Sequence, residues 1–267
     1  MANYKIRLQI IATANDDGSD AANITANTVT GYLPVLNQIM SPAEIEFVFD
    51  PVNDFLKINS TLLNRDFTPL EKPNVGSDKW DHEPEVDSDS HSAARTSIAM
   101  QFRKKLVVIY RKRKKLDKDD DGNWNITNKG GGSSSAGSYF VNMSTSSNAI
   151  DLGHEIGHYL HLPHTFTEGV ADVHDAAAKI KAYVDDGNSK DDGLNALDGD
   201  RAVVLDTPAD CKGAIFESEG LTVCGPVGEI LVPVNFGNEI KLYTLAPDRH
   251  LVMSYFKGCS ETGDKTI

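Results

Sequence analysis

Residues 154–164 read His-Glu-Ile-Gly-His-Tyr-Leu-His-Leu-Pro-His, and this stretch restricts the fold and the chemistry more than any other. Residues four positions apart on an α-helix lie on the same face, one turn apart. His154 and His158 can therefore present their imidazoles to one metal ion, while Glu155 lies close enough to accept a proton from a water at that ion. The stretch predicts a helix that carries two ligands of an open catalytic zinc site.

The third ligand is predicted from the place where the chain leaves the helix. His164 follows Pro163, and the exit there can swing a third imidazole back to the ion. His161 is the alternative, because it shares a helix face with His154 and His158. However, an α-helix rises so little per residue that His161 would lie about 10 Å along the axis from His154, which fits one tetrahedral ion poorly. The spacing favours His164 and puts His161 near the rim of the site.

A second motif lies near the end of the chain, where residues 251–256 read Leu-Val-Met-Ser-Tyr-Phe. Three histidines followed by such a Met-turn resemble the metzincin clan of zinc peptidases. The details at residues 154–160, 164–166 and 206–208 (Asp-Thr-Pro) most resemble the pappalysin (cytophagalysin) family within that clan. The strong motifs cover only these short segments.

The resemblance implies an α+β fold, with a twisted mixed sheet and two long helices above a cleft and a loop-rich lower subdomain below it. It implies an upper subdomain over residues 1–164, which ends in the zinc-binding helix, and a lower one over residues 165–267. It also implies that Met253 forms an apolar floor under the zinc site. Tyr255 is expected to reach toward the metal, as a weak fifth ligand or as a hydrogen-bond donor to the developing oxyanion.

Two features depart from the family pattern. The metzincin signature has glycine three residues before the last histidine, where this chain has His161. A positive φ is uncommon outside glycine, but histidine is among the residue types enriched there, so we expect the turn to form at some cost in strain. Only fourteen residues follow Met253, whereas relatives continue into a C-terminal helix, so a truncated lower subdomain is expected.

Charge and composition restrict the partners. The formal net charge of −13 repels phosphate backbones and argues against nucleic acid. No apolar run approaches the roughly 18 residues that cross a bilayer, so no membrane span is predicted. The chain begins without a signal-peptide pattern. We expect an exported, monomeric protein whose leader is absent from this chain, with a cytoplasmic protein as the alternative.

The three cysteines, Cys211, Cys224 and Cys259, lack the spacing of a metal or redox motif. A disulfide is expected if the protein is exported, and it would join Cys224 to Cys259 or Cys211 to Cys224. Three reduced cysteines are equally natural in a cytoplasmic protein.

The acidic stretch at residues 185–200, with Asp206, is a candidate site for a second cofactor, calcium (Ca²⁺), since the resemblance implies that some pappalysin-type enzymes bind calcium in this region. Residues 117–123 also begin like a calcium loop, but Asn128 stands where the EF-hand pattern requires Glu. A hairpin tip is predicted there instead.

Hydrophobic periodicity predicts four strands and four helices. The strands are expected at residues 4–12, 45–49, 106–110 and 138–143, and the helices at 26–40, 93–104, 148–162 and 171–184, with Ser146 or Ser147 as the N-cap of the third helix. Residues 73–90 are expected to form a surface loop and the glycine-rich residues 130–137 a flexible rim. The basic cluster from Arg111 to Lys115 is expected to be the solvated end of a hairpin.

The leading hypothesis is a metzincin-type zinc endopeptidase that hydrolyses proteins or peptides, with Glu155 as general base. The alternative is a catalytically impaired zinc-binding module that recognises a protein partner, which His161 and the short C-terminus favour. Glu155 argues against this alternative, because a purely structural site needs no general base. A zinc hydrolase acting on a non-peptide bond is a third hypothesis, which nothing in the sequence favours.

Overall fold

The computed structural model describes residues 4–135, 137–167, 169–199, 229–245 and 253. The chain divides into two compact units, Met1–Tyr159 and Leu160–Ile267. The expected subdomain boundary at residue 164 stays a prediction. Among the described residues, no helix combines the length and apolar character that a membrane span requires.

The first unit contains a six-stranded mixed sheet. Its strands are β1 (Tyr4–Ala14), β2 (Ile45–Val48), β3 (Phe55–Asn59), β6 (Leu106–Arg111), β9 (Gly132–Ser133) and β10 (Phe140–Ser144). The order is β2-β1-β6-β10-β9, and β3 also pairs with β1. All pairings are parallel except that of β9 with β10, which is antiparallel. The expected mixed sheet with helices is confirmed.

The centre of the sheet is apolar on both faces. All six residues of β6 are buried, as are Leu8, Ile10 and Ile11 of β1. A parallel strand covered on both faces is typically such a continuous apolar run. The central position predicted for residues 106–110 is therefore confirmed.

Helices and short strands complete the first unit. They are α1 (Ala26–Met40), α2 (Thr61–Asn64), α3 (Asp89–Ala99) and α4 (Ala149–Tyr159), with 3₁₀ turns at Ser41–Ala43 and Met100–Phe102. Two small pairs of strands are β4 (Thr68–Pro69) with β5 (Val86–Asp87), and β7 (Lys114–Lys118) with β8 (Trp124–Asn128). Helix α1 has the predicted bounds, although Pro34 lies inside it. It packs on α4, where a Cβ on Gly153 would lie 3.0 Å from Cδ1 of Ile39.

Three expectations for this unit were wrong in part. Residues 130–137 do not form only a flexible rim, because β9 pairs with β10 through Asn142–Ser133 and Met143–Gly132. The predicted loop over residues 73–90 contains β5 and the start of α3. The basic cluster is not simply a solvated hairpin end, since the side chains of Arg111 and Arg113 are buried.

The second unit has its own apolar core. It comprises α5 (Val173–Asp185), a 3₁₀ segment at Lys190–Leu197 and the antiparallel pair β11 (Ile230–Asn235) and β12 (Ile240–Leu245). Asp172 caps α5 by accepting a hydrogen bond from the Asp175 amide at 2.9 Å. The helix predicted at residues 171–184 is thus confirmed within two residues. Ile180, Val232 and Tyr243 are among the buried residues that join these elements.

Candidate metal centre

The metal-motif helix α4 begins at a side-chain cap. Oδ1 of Asn148 accepts hydrogen bonds from the amides of Ile150 at 2.8 Å and Asp151 at 3.0 Å. The carboxylate of Asp151 accepts in return from the Asn148 amide at 3.1 Å. Asn148 therefore fills the capping role that the sequence assigned to Ser146 or Ser147.

The same helix ends at Tyr159, three residues before the predicted end. His161 explains the early end, because its φ of 72° is left-handed and incompatible with a continuing helix. The positive φ expected at this position is confirmed. The side chain of His161 is exposed.

Three histidines come together after this turn. Nitrogen atoms of His154, His158 and His164 all lie within 4.8 Å of one another. The rings of His154 and His158 meet edge to face, with centroids 4.7 Å apart. His154 is fully buried, whereas the other two are partly exposed. His161 is not a member of this group of described residues.

The segment after His164 is fixed by backbone contacts of the second unit. Phe166 forms an isolated antiparallel bridge with Asp198, and the Gly199 amide donates to the Thr165 carbonyl at 3.2 Å. A Cβ on Gly199 would lie only 2.0 Å from the carbonyl oxygen of Phe166, so this approach requires glycine. The His164 ring stacks on that of Phe166, with centroids 4.8 Å apart. These contacts orient the third imidazole.

The three imidazoles fit a zinc ion. Zn–N bonds of about 2.0–2.1 Å put two nitrogens of a tetrahedral site about 3.4 Å apart, so small ring rotations bring the present set to that spacing. The part of the chain that the structure describes supplies three protein ligands, the number typical of catalytic rather than structural zinc. Borderline-soft imidazole nitrogen also favours zinc over calcium or magnesium, which prefer oxygen ligands.

Glu155 lies beside the first histidine and is 6% exposed. A Cβ built on Gly132 of strand β9 would be 2.3 Å from Cγ of Glu155. The strand can therefore lie against the carboxylate side chain only because residue 132 lacks a side chain. Sequence reasoning missed Gly132, and the glycine run at 130–132 was the signal available.

The remaining predicted residues are described only in part. Met253 is 4% exposed and lies in a turn. Tyr255, Asp206 and the three cysteines lie outside the described residues, so their roles and the expected disulfide stay predictions.

Calcium has no support in the described part of the chain. Among the described residues, the three histidines form the single cluster of at least three His, Cys, Asp or Glu side chains that could hold a metal ion. The acidic tip at residues 119–123 is a hairpin turn, as predicted, in which Oδ1 of Asp119 accepts from the amides of Asp121 and Asn123. Its Oδ2 accepts from Nζ of Lys79 at 2.7 Å.

Comparison with known families agrees with this geometry. Residues 133–221 match the family model of the M43 peptidases, described as pregnancy-associated plasma protein-A. This chain is similar to the pappalysin peptidases. The match contains the histidines at 154, 158 and 164 and confirms the pappalysin resemblance. It supports a zinc metallopeptidase with a protein substrate. No curated protein matches the chain.

Proposed function

We propose that the protein is a zinc-dependent endopeptidase whose metal is held by His154, His158 and His164. The observation that carries the proposal is the convergence of the three imidazoles within 4.8 Å in a segment that matches a peptidase family. Glu155, next to His154 on α4, is assigned as the general base. Tyr255 and Met253 are assigned, by resemblance, to the oxyanion and to the apolar floor of the site.

Zinc held by His154, His158 and His164 would supply Lewis acidity and would lower the pKa of an attacking water to about 7. Glu155 then accepts the proton of the attacking water and returns it to the amine that leaves when the peptide bond breaks. Its position is restricted on one side by strand β9, where Gly132 leaves just enough room for its side chain. Such restriction keeps the carboxylate oriented between the two proton transfers. Tyr255 donates a hydrogen bond to the developing oxyanion.

The substrate class is an extended segment of protein or peptide. We further propose that the protein is exported and acts as a monomer.

The decisive test compares wild-type protein with Glu155→Gln on a denatured protein substrate, with zinc content measured in parallel. We expect kcat/KM to fall by about 10²–10⁴-fold while one zinc ion per chain is retained. Glu83→Gln is the matched control, because Glu83 is exposed. Full activity in Glu155→Gln would exclude Glu155 as the base. Stoichiometric zinc with no cleavage by wild-type protein would favour the non-catalytic zinc-binding module instead.

A further inference from the structure

Three arginines are buried in the first unit, and none of them is among the residues assigned to the metal centre. Arg111, at the end of β6, is 1% exposed, Arg113 is 4% exposed and Arg95, on α3, is 6% exposed. Arginine is almost never buried this completely unless it is paired. Burial of these three side chains therefore requires hydrogen-bond acceptors or opposite charges beside them.

Neutral acceptors bind only some of the nitrogen atoms of these guanidinium groups. Nη1 of Arg95 donates to the backbone carbonyl of Arg65 at 2.7 Å. Nε of Arg111 donates to Oδ1 of Asn142 at 3.0 Å. Neither acceptor carries a charge that could balance a guanidinium.

One carboxylate, that of Asp66, is close to the group. Its Oδ1 accepts from Nη2 of Arg111 at 2.6 Å, and its Oδ2 accepts from the Lys114 amide at 2.9 Å. Both oxygens of Asp66 are thus already engaged. The charge of Asp66 acts on both Arg95 and Arg111.

Several guanidinium nitrogens remain without an acceptor in the described part of the chain. They are Nε of Arg95, Nη1 of Arg111, and Nε and Nη1 of Arg113, and all four are buried. A buried donor without an acceptor is destabilising, and more so when it is charged. Unused buried donors therefore remain on three different side chains.

The charges also repel one another. Burial is the largest cause that lowers the pKa of Arg95, and the charges of Arg111 and Arg113 lower it further, to about 10. Burial likewise lowers the pKa of Arg111, with Arg113 acting in the same direction against Asp66. The group thus holds three guanidinium groups against one carboxylate, that of Asp66. Water could accept the unused hydrogen bonds but would leave this excess of charge uncompensated.

We propose that Arg95, Arg111 and Arg113 bind a small inorganic anion, either chloride or a compact oxyanion such as sulfate or phosphate. An acidic side chain of another protein cannot reach donors that are so deeply buried, whereas a small ion can be enclosed during folding. Guanidinium groups are well suited to this role, because their planar donors match anions and they are weakly hydrated. The anion joins α3 to the end of β6 and the residues that follow it, and so acts as a structural centre of the fold.

Thermal unfolding tests the proposal. Chloride, sulfate or phosphate is substituted for gluconate at constant ionic strength, because gluconate is too large to be enclosed. In the series with the anion that binds, the melting temperature of the wild type should rise by about 3–5 °C for each tenfold increase in the anion concentration above its dissociation constant. Whichever ion produces the rise identifies the ligand as a halide or an oxyanion. A melting temperature independent of the anion in all three series would overturn the proposal.

Arg113→Met gives a test in which the sign of the effect decides. If the anion binds, this variant is less stable than wild type in the stabilising anion and loses the dependence on anion concentration. If no anion binds, removing one of three like charges relieves repulsion, and Arg113→Met is at least as stable as wild type in every buffer. Arg103→Met, at an exposed arginine, is the matched control and should keep the wild-type response.

Crystals of the wild-type protein give an answer even if Arg113→Met fails to fold. A bromide soak should produce an anomalous peak within hydrogen-bond distance of at least two of the three guanidinium groups, or an oxyanion should be visible in the density there. Density for water alone at that position contradicts the proposal.

Discussion

Gly132 lies against Glu155 so closely that a Cβ on the glycine would be 2.8 Å from the carboxyl carbon, Cδ, of Glu155. The same Cβ would be 2.9 Å from Sδ of Met143 on the neighbouring strand. The side chains of Glu155 and Met143 together leave no room for a methyl group at residue 132. The position of the proposed base therefore depends on the absence of a side chain at residue 132.

Gly132→Ala is expected to reduce peptidase activity without removing the metal. The added methyl group must displace Glu155, and a displacement of about 1 Å in a reacting group costs about 100-fold in rate. Steady-state kinetics should show a fall in kcat/KM, while the zinc content stays at the wild-type value. Gly31→Ala is the control, since a Cβ there meets no atom within 4 Å. Unchanged activity in Gly132→Ala would contradict the positioning role.

His164→Ala should weaken zinc binding, whereas His161→Gly should not. Loss of an imidazole ligand is expected to lower the affinity by more than about 100-fold, since even second-shell changes cost 10–100-fold. Competition with a chromogenic chelator measures both variants. His174→Ala, at an exposed histidine on α5, serves as the reference. If His161→Gly lost zinc and His164→Ala kept it, the assignment of the third ligand would be reversed.

The left-handed backbone at His161 predicts which substitutions are tolerated there. A β-branched residue is strongly disfavoured at a φ of 72°, so His161→Val should lower the free energy of unfolding by about 1–2 kcal/mol. His161→Gly relieves the strain and should be close to neutral, because glycine also loses more entropy on folding. Urea unfolding compares both variants with His174→Val. Equal stability of the valine and glycine variants would argue against strain at this turn.

Asp54 predicts a pH dependence of stability. Its fully buried carboxylate accepts from Nε of Arg7 and from Nζ of Lys105, each at 2.7 Å. Burial raises the pKa of Asp54, but these hydrogen bonds outweigh it, and the net pKa is lowered. The folded pKa thus lies below the unfolded value of about 3.9. The carboxylate therefore stabilises the fold above about pH 4, and this contribution is lost as the pH falls through the folded pKa.

Asp54→Asn should accordingly lower the free energy of unfolding at pH 7 by about 2 kcal/mol. The difference from wild type should shrink as the pH falls below about 4. Urea unfolding at pH 7 and at pH 3 measures this difference in the free energy of unfolding. Asp78→Asn, at an exposed position, is the control. A difference that stayed constant down to pH 3 would mean that the ionised carboxylate is not what stabilises this part of the sheet.

The sequence was sufficient for elements whose signal is periodic. We predicted both the buried strand at residues 106–110 and the helix that carries His154 and His158. Burial of a strand produces a run of apolar residues, and a helix produces a regular spacing, so both are visible in the sequence. The left-handed turn at His161 was predicted from a family pattern rather than from periodicity. The early end of α4 was not, since a helix boundary depends on a single backbone angle.

Features that depend on distant partners were not predictable. Strand β9 is two residues long and begins with Gly132, so it carries no hydrophobic pattern, and its pairing with β10 decides its conformation. The cluster at residues 111–115 reads as a solvated run of charge. Arg111 and Lys114 of this cluster bind Asp66, which lies well before them in the chain, and no local pattern indicates that contact.

Strand β6 has a consequence for how the protein is produced. Strand β1, which pairs with β6, leaves the ribosome about one hundred residues earlier. The edge of β1 that binds β6 therefore has no partner until β6 has been synthesised. Strand β10, the other partner of β6, follows later still. Parallel pairing between distant segments forms slowly, and unpaired apolar strands aggregate. Recombinant yield should therefore depend on synthesis rate and chaperone supply, and slow expression at low temperature should favour soluble protein over inclusion bodies.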